Sequence, residues 1–189
     1  MGGLLLRHHR RLRGSSATLT ERGITIRRAE ALEAGAIAEL YLRSFRTALP
    51  TVRLAHDDDA VRAWFRDDVV GGEAGDETWV ADQAGGLVGL LVLREGWIEQ
   101  LYLAPEHQRA GIGARLVALA KALRPDGLDL YTFQVNRPAR AFYEKHGFLE
   151  VTRGDGSGNE EREPDIHYAW RPCGQDRARC LPPGNLGRE

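Results

Sequence analysis

Between residues 23 and 171 the apolar positions follow two periods, and the period changes at glycine, proline or acidic turns. "GITIRRA" sets Ile24 and Ile26 on one face of a strand, after which Ile37, Leu40, Tyr41, Ser44 and Phe45 fall at helical spacing. Pro50 breaks the connector "TALPTVRLAH". "DDDAVRAWFRDDVV" then places Val61, Trp64, Phe65 and Val69 on one stripe, with acids in the first turn that suit the helix dipole. "TWVAD" and "LVGLLVL" flank the turn "QAGG", and "REG" leads into a further strand, "WIEQLYL". A polar turn holding Gly111 and Gly113 opens a helix with Leu116, Leu119, Ala120 and Leu123 on one face, and "RPDG" ends it. "LDLYTF" reads as a strand. Asn136 can cap a helix with Pro138 in its first turn, and Gly147 can end that helix. "FLEV" and "DIHYAW" read as two closing strands. The order βααβββαβαββ predicts an α/β (α+β) domain, a mixed central sheet covered by helices.

A chain of 189 residues suits one domain with a real core. Lys plus Arg number 26 against 27 Asp plus Glu, so global charge gives no argument for nucleic acid or membrane as a partner. The longest apolar runs are too short to span a bilayer. The opening "MGGLLLRHHRRLRGSS" puts few apolar residues before its basic run, unlike a secretory signal. Residues 1–22 and 172–189, rich in Arg, Gly, Pro and Ser, are expected to be a disordered leader and tail around a domain at 23–171. Two cysteines, Cys173 and Cys180, make neither a disulfide framework nor, with His167, a zinc site. A reduced, cytoplasmic protein without a bound metal is expected.

The turn "LAPEHQRAGIGARL" raises a specific question. The first amides of a helix lack intrahelical partners and, with the helix dipole, attract anions; glycine permits tight turning and close approach. Arg109 adds positive charge. The dinucleotide fingerprint would need glycine where Leu116 stands, and the P-loop would need a lysine and a hydroxyl that "GIGAR" lacks. "IEQLYLAPEHQRAGIGARLVALAKAL" instead resembles the acetyl-CoA-binding segment of the GNAT superfamily of N-acetyltransferases, a strand followed by Q/R-x-x-G-x-G/A and a helix. "YTFQVNRPARAFYEKHGFLEV" resembles that family's second signature: strand, Asn, a helix with a late Tyr, then G-F.

The resemblance implies the GNAT fold, in which two neighbouring parallel strands splay and the cofactor's pantetheine arm lies in the gap. The cofactor-binding residues it implies are Leu101, Tyr102 and Leu103, then Gln108, Arg109, Ala110, Gly111, Ile112, Gly113 and Ala114 for the pyrophosphate, with Asn136 and Tyr143. A main-chain N–H between Leu101 and Leu103 would polarise the thioester carbonyl. Tyr143, seven residues after Asn136, is the expected proton donor to the leaving thiolate. Strand alternation sets Glu99 on the face of Leu101, as the candidate base. Asn136 can equally be a simple cap, and Tyr143 can equally only pack. His107 and His146 are read as structural, His56 as part of the acceptor region, and Trp64, Trp79 and Trp97 as core or pocket wall.

The resemblance implies direct acetyl transfer from acetyl-CoA to a primary amine, with no acyl-enzyme and no metal. The acceptor stays open between a small-molecule amine and a peptide or protein amine, and a homodimer is also left open. "DGSGNEEREPD" separates the last two strands; Glu160, Glu161 and Glu163 there can receive a cationic acceptor or simply be a solvated hairpin loop. A non-catalytic acetyl-CoA sensor is the rival in another class; O-acetylation and a longer acyl donor are the variants within the enzyme class.

Overall fold

The computed structural model describes residues 19–21, 23–70 and 77–172. The expectations for the leader before Leu19, for most of the tail and for both cysteines lie outside these residues. The elements in order are β1 (Leu19–Glu21), β2 (Ile24–Arg28), α1 (Ala34–Ala48), α2 (Asp58–Trp64), β3 (Glu77–Gln83), β4 (Gly86–Arg94), β5 (Trp97–Leu103), α3 (Ile112–Leu123), β6 (Leu128–Phe133), α4 (Arg137–Lys145), β7 (Leu149–Arg153) and β8 (Asp165–Trp170). The strands form one mixed sheet in the order β1-β2-β3-β4-β5-β6-β8-β7. β5 and β6 are its parallel neighbours, and every other pairing is antiparallel.

Two differences from the sequence reading stand out. β1 pairs with β2, Leu19 opposite Ile26, so the sheet extends into residues assigned to the disordered leader. Gly23, at φ +75°, supplies the left-handed turn that folds the chain back. The second helix is also not uniform. Asp57 caps α2 by accepting from the Ala60 N–H at 2.8 Å, but Phe65–Val70 continues as a π-helical turn that brings Phe65 and Val69 together into the core.

β4 is apolar along its length because both its faces are covered. Leu91 and Leu93 pack with Ile26, Ile112, Leu116 and Phe148 beneath α3 and α4. Leu90 and Val92 pack on the opposite face with Ile37, Leu42, Phe45 and Phe65 from α1 and the helical segment after it. Trp79 is buried in the first cluster, and Trp64 flanks the second against Tyr41 and Phe65. The helices therefore hold β4 and β5 from both sides.

Gly89 is the tightest point of this packing. A Cβ there would lie 3.0 Å from a Leu103 methyl, 3.1 Å from Ala81 Cβ and 3.3 Å from a Leu116 methyl. Gly89→Val is expected to lower stability by roughly 1–3 kcal/mol through overpacking. Urea unfolding would read this as a lower midpoint at unchanged slope; an unchanged midpoint would mean that the neighbours yield freely.

Candidate functional site

β5 and β6 share one register pair, Trp97 opposite Asp129, beside a hydrogen bond from the Asp129 N–H to the Gly96 carbonyl at 2.9 Å. Beyond it they part. β6 stays bonded along its other edge to β8, and β5 along its other edge to β4. The Ala104 N–H donates to the Val88 carbonyl at 3.0 Å, which sets the antiparallel alternation on β5. Tyr102 therefore turns its main-chain groups to β4, while Leu101 and Leu103 turn theirs to the gap. The Leu103 carbonyl accepts from the buried Ser44 hydroxyl of α1 at 2.9 Å. Leu101 N–H and C=O and the Leu103 N–H are the groups that face the gap. Tyr102, expected beside them as a main-chain contact, contributes its side chain instead.

A bulge decides where Glu99 points. Val92 lies opposite Gln100 and Leu93 opposite Ile98, so Glu99 is the extra residue on β5. Ile98 and Leu101 both pack into the core under α3 and α4, three positions apart. Glu99, Gln100 and Tyr102 line a cleft on the opposite face. The expectation that Glu99 shares the face of Leu101 is thus corrected: alternation holds only while the register is unbroken.

At one end of the gap lies the glycine turn. After a short helical turn at Pro105–His107, Gln108 to Gly111 are exposed, with Arg109 at φ +63° and Gly111 at φ +82°. Gly111 is the N-cap of α3, and the first helical bond runs from the Arg115 N–H to the Gly111 carbonyl at 3.2 Å. The amides of Ile112, Gly113 and Ala114 thus have no helical acceptor. The two glycines serve different ends. A Cβ on Gly111 would meet open space, so its glycine answers to the left-handed φ. A Cβ on Gly113 would come 3.2 Å from the Phe142 ring and 3.3 Å from Leu103, so that glycine lets α3 sit tightly against α4 and β5.

The cleft at the other end has a volume of about 620 Å³. Tyr41 and Phe45 of α1, Tyr102 of β5 and Tyr131 and Phe133 of β6 give it aromatic walls. Asn136 also lines it while capping α4, its side chain accepting from the Ala139 N–H at 3.2 Å. Tyr143 sits behind the gap on α4, 7% exposed and packed on Phe142 and Phe148. Burial pushes the Tyr41 and Tyr143 hydroxyls well above the usual phenol range. Burial raises Tyr102 too, reinforced by Tyr41, Tyr143 and the Glu161 carboxylate.

The segment between β7 and β8 is organised by amides. Gln134 Nε2 donates to the carbonyls of Gly154 at 2.9 Å and Asp165 at 3.1 Å. Asn159 donates to the Glu163 carbonyl at 2.8 Å and to Asp165 Oδ2 at 3.0 Å. The three glutamates meet different fates. Glu161 lines the cleft. Glu160 pairs with His56 at 3.0 Å on the wall of an adjoining cavity of about 590 Å³, which shares Phe45 and Glu161 with the cleft. Glu163 lines neither space. His146 has a structural bond, Nδ1 lying 2.7 Å from the Phe142 carbonyl; His107 stands beside Glu106, half-buried in the loop before the glycine turn. Tyr41, Phe45, Ser44, Tyr131 and Asn159 are site residues that the sequence reading did not single out. Only the helical stripe marked Tyr41, Ser44 and Phe45 at all.

Among the described residues no three His, Cys, Asp or Glu side chains are grouped to hold a metal ion, and no helix is long and apolar enough to cross a membrane. The acetyltransferase (GNAT) domain family matches residues 74–150. No curated protein sequence matches the chain. Apo YjaB from Escherichia coli shares the fold with a TM-score of 0.65 at 23% identity, over 77% of this chain and 96% of that one. The PaiA N-acetyltransferase of Thermoplasma acidophilum, solved in complex with coenzyme A, does so at 0.59 and 18%, over 78% and 98%. A GNAT-family acetyltransferase from Staphylococcus aureus MU50 gives 0.62 and 20%, over 78% and 98%. Fold and family match together define an acetyltransferase domain. Residues 74–150 match the acetyltransferase (GNAT) domain family, and most of the chain shares the fold of GNAT-family structures.

The raised tyrosines have a consequence for stability. Unfolded tyrosines ionise near pH 10, while the buried ones hold their protons to higher pH. Above about pH 10 the unfolded chain binds fewer protons than the folded one, so stability falls as pH rises and is fully present below that point. Denaturant midpoints taken from pH 8 to pH 11 would check this, and Tyr143→Phe is expected to flatten the alkaline fall. A midpoint constant through that window would show that the hydroxyls ionise freely when folded.

Proposed function

We propose that the protein transfers an acetyl group from acetyl-CoA to a primary amine by direct attack of the amine on the thioester. The observation that carries this reading is the gap between β5 and β6, with the main chain of Leu101 facing it, free helix amides at one end and an aromatic, acidic cleft at the other. The residues fit the cosubstrate. A pantetheine arm carries amide groups that can bond to the strand edge at Leu101 and Leu103. A pyrophosphate suits the amides of Ile112 to Ala114 with Arg109 nearby, where the space over Gly111 is open. The bound cosubstrate supplies the activated acyl group.

The roles proposed for the protein groups draw on where they lie. The main-chain N–H groups of Leu101 and Leu103 are the donors available to a carbonyl oxygen that gains negative charge. Glu99, on the cleft wall, is placed to take the proton that the ammonium must lose before its nitrogen can attack, directly or through water. As the C–N bond forms and the C–S bond breaks, Tyr143 can hand its proton to the departing sulfur and recover one from solvent, while the attacking nitrogen sheds its second proton to water. Burial keeps this phenol protonated at neutral pH and also makes it a weaker acid, so its proton has to pass to the sulfur in concert with C–S cleavage. The amine would arrive from the cleft on the α1 face, while Tyr143 packs in the core on the α3–α4 face.

Two variants test the assignment. Tyr143→Phe keeps the ring packing and removes the donor, so turnover is expected to fall about ten- to a thousand-fold with acetyl-CoA affinity nearly unchanged. Equal turnover would show that the ring merely packs. Gly111→Ala forces a side chain into the left-handed region at a cost of roughly 1–2 kcal/mol, which displaces the helix amides. Calorimetry is expected to show acetyl-CoA binding weakened about tenfold in a folded protein; unchanged affinity would remove the glycine turn from the cofactor site.

A further inference from the structure

Of the charged groups that line the cleft, most are already committed. Arg153 is held by both oxygens of Glu150 at 2.7 and 2.8 Å. Asp165 accepts from Asn159 at 3.0 Å, and Asp155 from the Ser157 N–H at 2.9 Å. Glu99 and Glu161 are different: among the described residues neither has a hydrogen-bond or ion-pair partner, and they stand on different walls, β5 and the loop before β8. Glu161 also acts through space on Tyr41 and Tyr102, which places its charge against the aromatic wall.

Aromatic rings flank these carboxylates within an otherwise polar lining. Tyr131 is 59% exposed, yet its ring stacks on Trp97 at 5.5 Å with an interplanar angle of 8° and on His167 at 5.1 Å. His167 is itself fixed by Asp129 at 2.8 Å. An aromatic face beside a carboxylate suits an ammonium group and the methylenes next to it.

We infer that the preferred acceptor is an aliphatic amine with a second cationic group, its reacting nitrogen near Glu99, its methylene stem on the aromatic wall and its second charge at Glu161. The inference rests on the amine-acetyltransferase reading and deepens it. It also narrows the acidic-loop expectation to one glutamate: Glu160 is engaged by His56 and Glu163 lies outside the cleft. In a partly desolvated cleft a second charge pair is worth more than in bulk water.

The test compares putrescine with the amino alcohol of the same carbon length, by calorimetry on the full chain with and without coenzyme A. Putrescine is expected to bind about ten- to a hundred-fold more tightly, the range of one charge-assisted hydrogen bond. The preference should shrink at high salt and largely vanish in Glu161→Gln, whose coenzyme A affinity reports that it is folded. Equal binding of the two amines by the wild-type chain would overturn the inference. So would a preference that survives intact in Glu161→Gln. Thiol release from acetyl-CoA, measured with both amines, reads the function separately. A chain that binds putrescine preferentially but acetylates no amine would keep the charge site and refute the enzyme. One that acetylates both amines equally well, with equal affinity, would do the reverse.

Discussion

β5 and β6 are bonded at Trp97 and Asp129 and then separate, leaving strand edge inside the domain. Backbone donors and acceptors in such a place need partners, and the protein supplies only some of them. Ser44 takes the Leu103 carbonyl, while the Leu101 groups face the gap. A sheet parted in this way keeps its shape because each face has its own core. α3, α4 and the turn after α4 pack on one side through Leu116, Phe142 and Phe148, and α1 packs on the other through Ile37, Leu42 and Phe45. Gly89 and Gly113 mark how closely that clamp fits, since either one with a Cβ would press on Leu103.

The gap also joins two different environments. Toward α3 it meets exposed turn residues and free amides, a setting for negative charge. Toward α1 it meets tyrosines, Glu99 and Glu161, a setting for positive charge and apolar stem. This polarity is what the proposed reaction, between an anionic cosubstrate and a cationic acceptor, would use. The loop before β8 keeps its shape through Gln134 and Asn159, uncharged donors that set the backbone and leave Glu161 without a partner among the described residues. Burial keeps the tyrosines that border the gap protonated at neutral pH.

Much of this was legible along the chain. Periodicity placed α1, α3, α4 and the strands from β2 to β8, because each element buries a face whose spacing its backbone geometry dictates. The chemistry of helix amides made the glycine turn an expected anion site, and the likeness to the GNAT signatures led to the splayed strands that the structure shows. The second helix was read as continuous, although its last turns are π-helical; periodicity alone does not separate the two over so short a span.

Position relative to partners was decided only in three dimensions. The sequence sets the period of β5 but not the bulge at Glu99, which depends on how Val92 and Leu93 of β4 pair with it. It shows two glycines in one turn, yet the left-handed φ of Gly111 and the crowding of Gly113 by Phe142 have different causes, and Phe142 comes from another helix. It shows three glutamates in one acidic loop, but His56 and the hydrogen bonds of Asn159 sort them into a paired one, a cleft-facing one and one that lines neither cavity. Local spacing determines which residues a single element can present together. Which of them meet a ligand depends on contacts between segments far apart in the chain, and those arise only when the two cores close on the sheet.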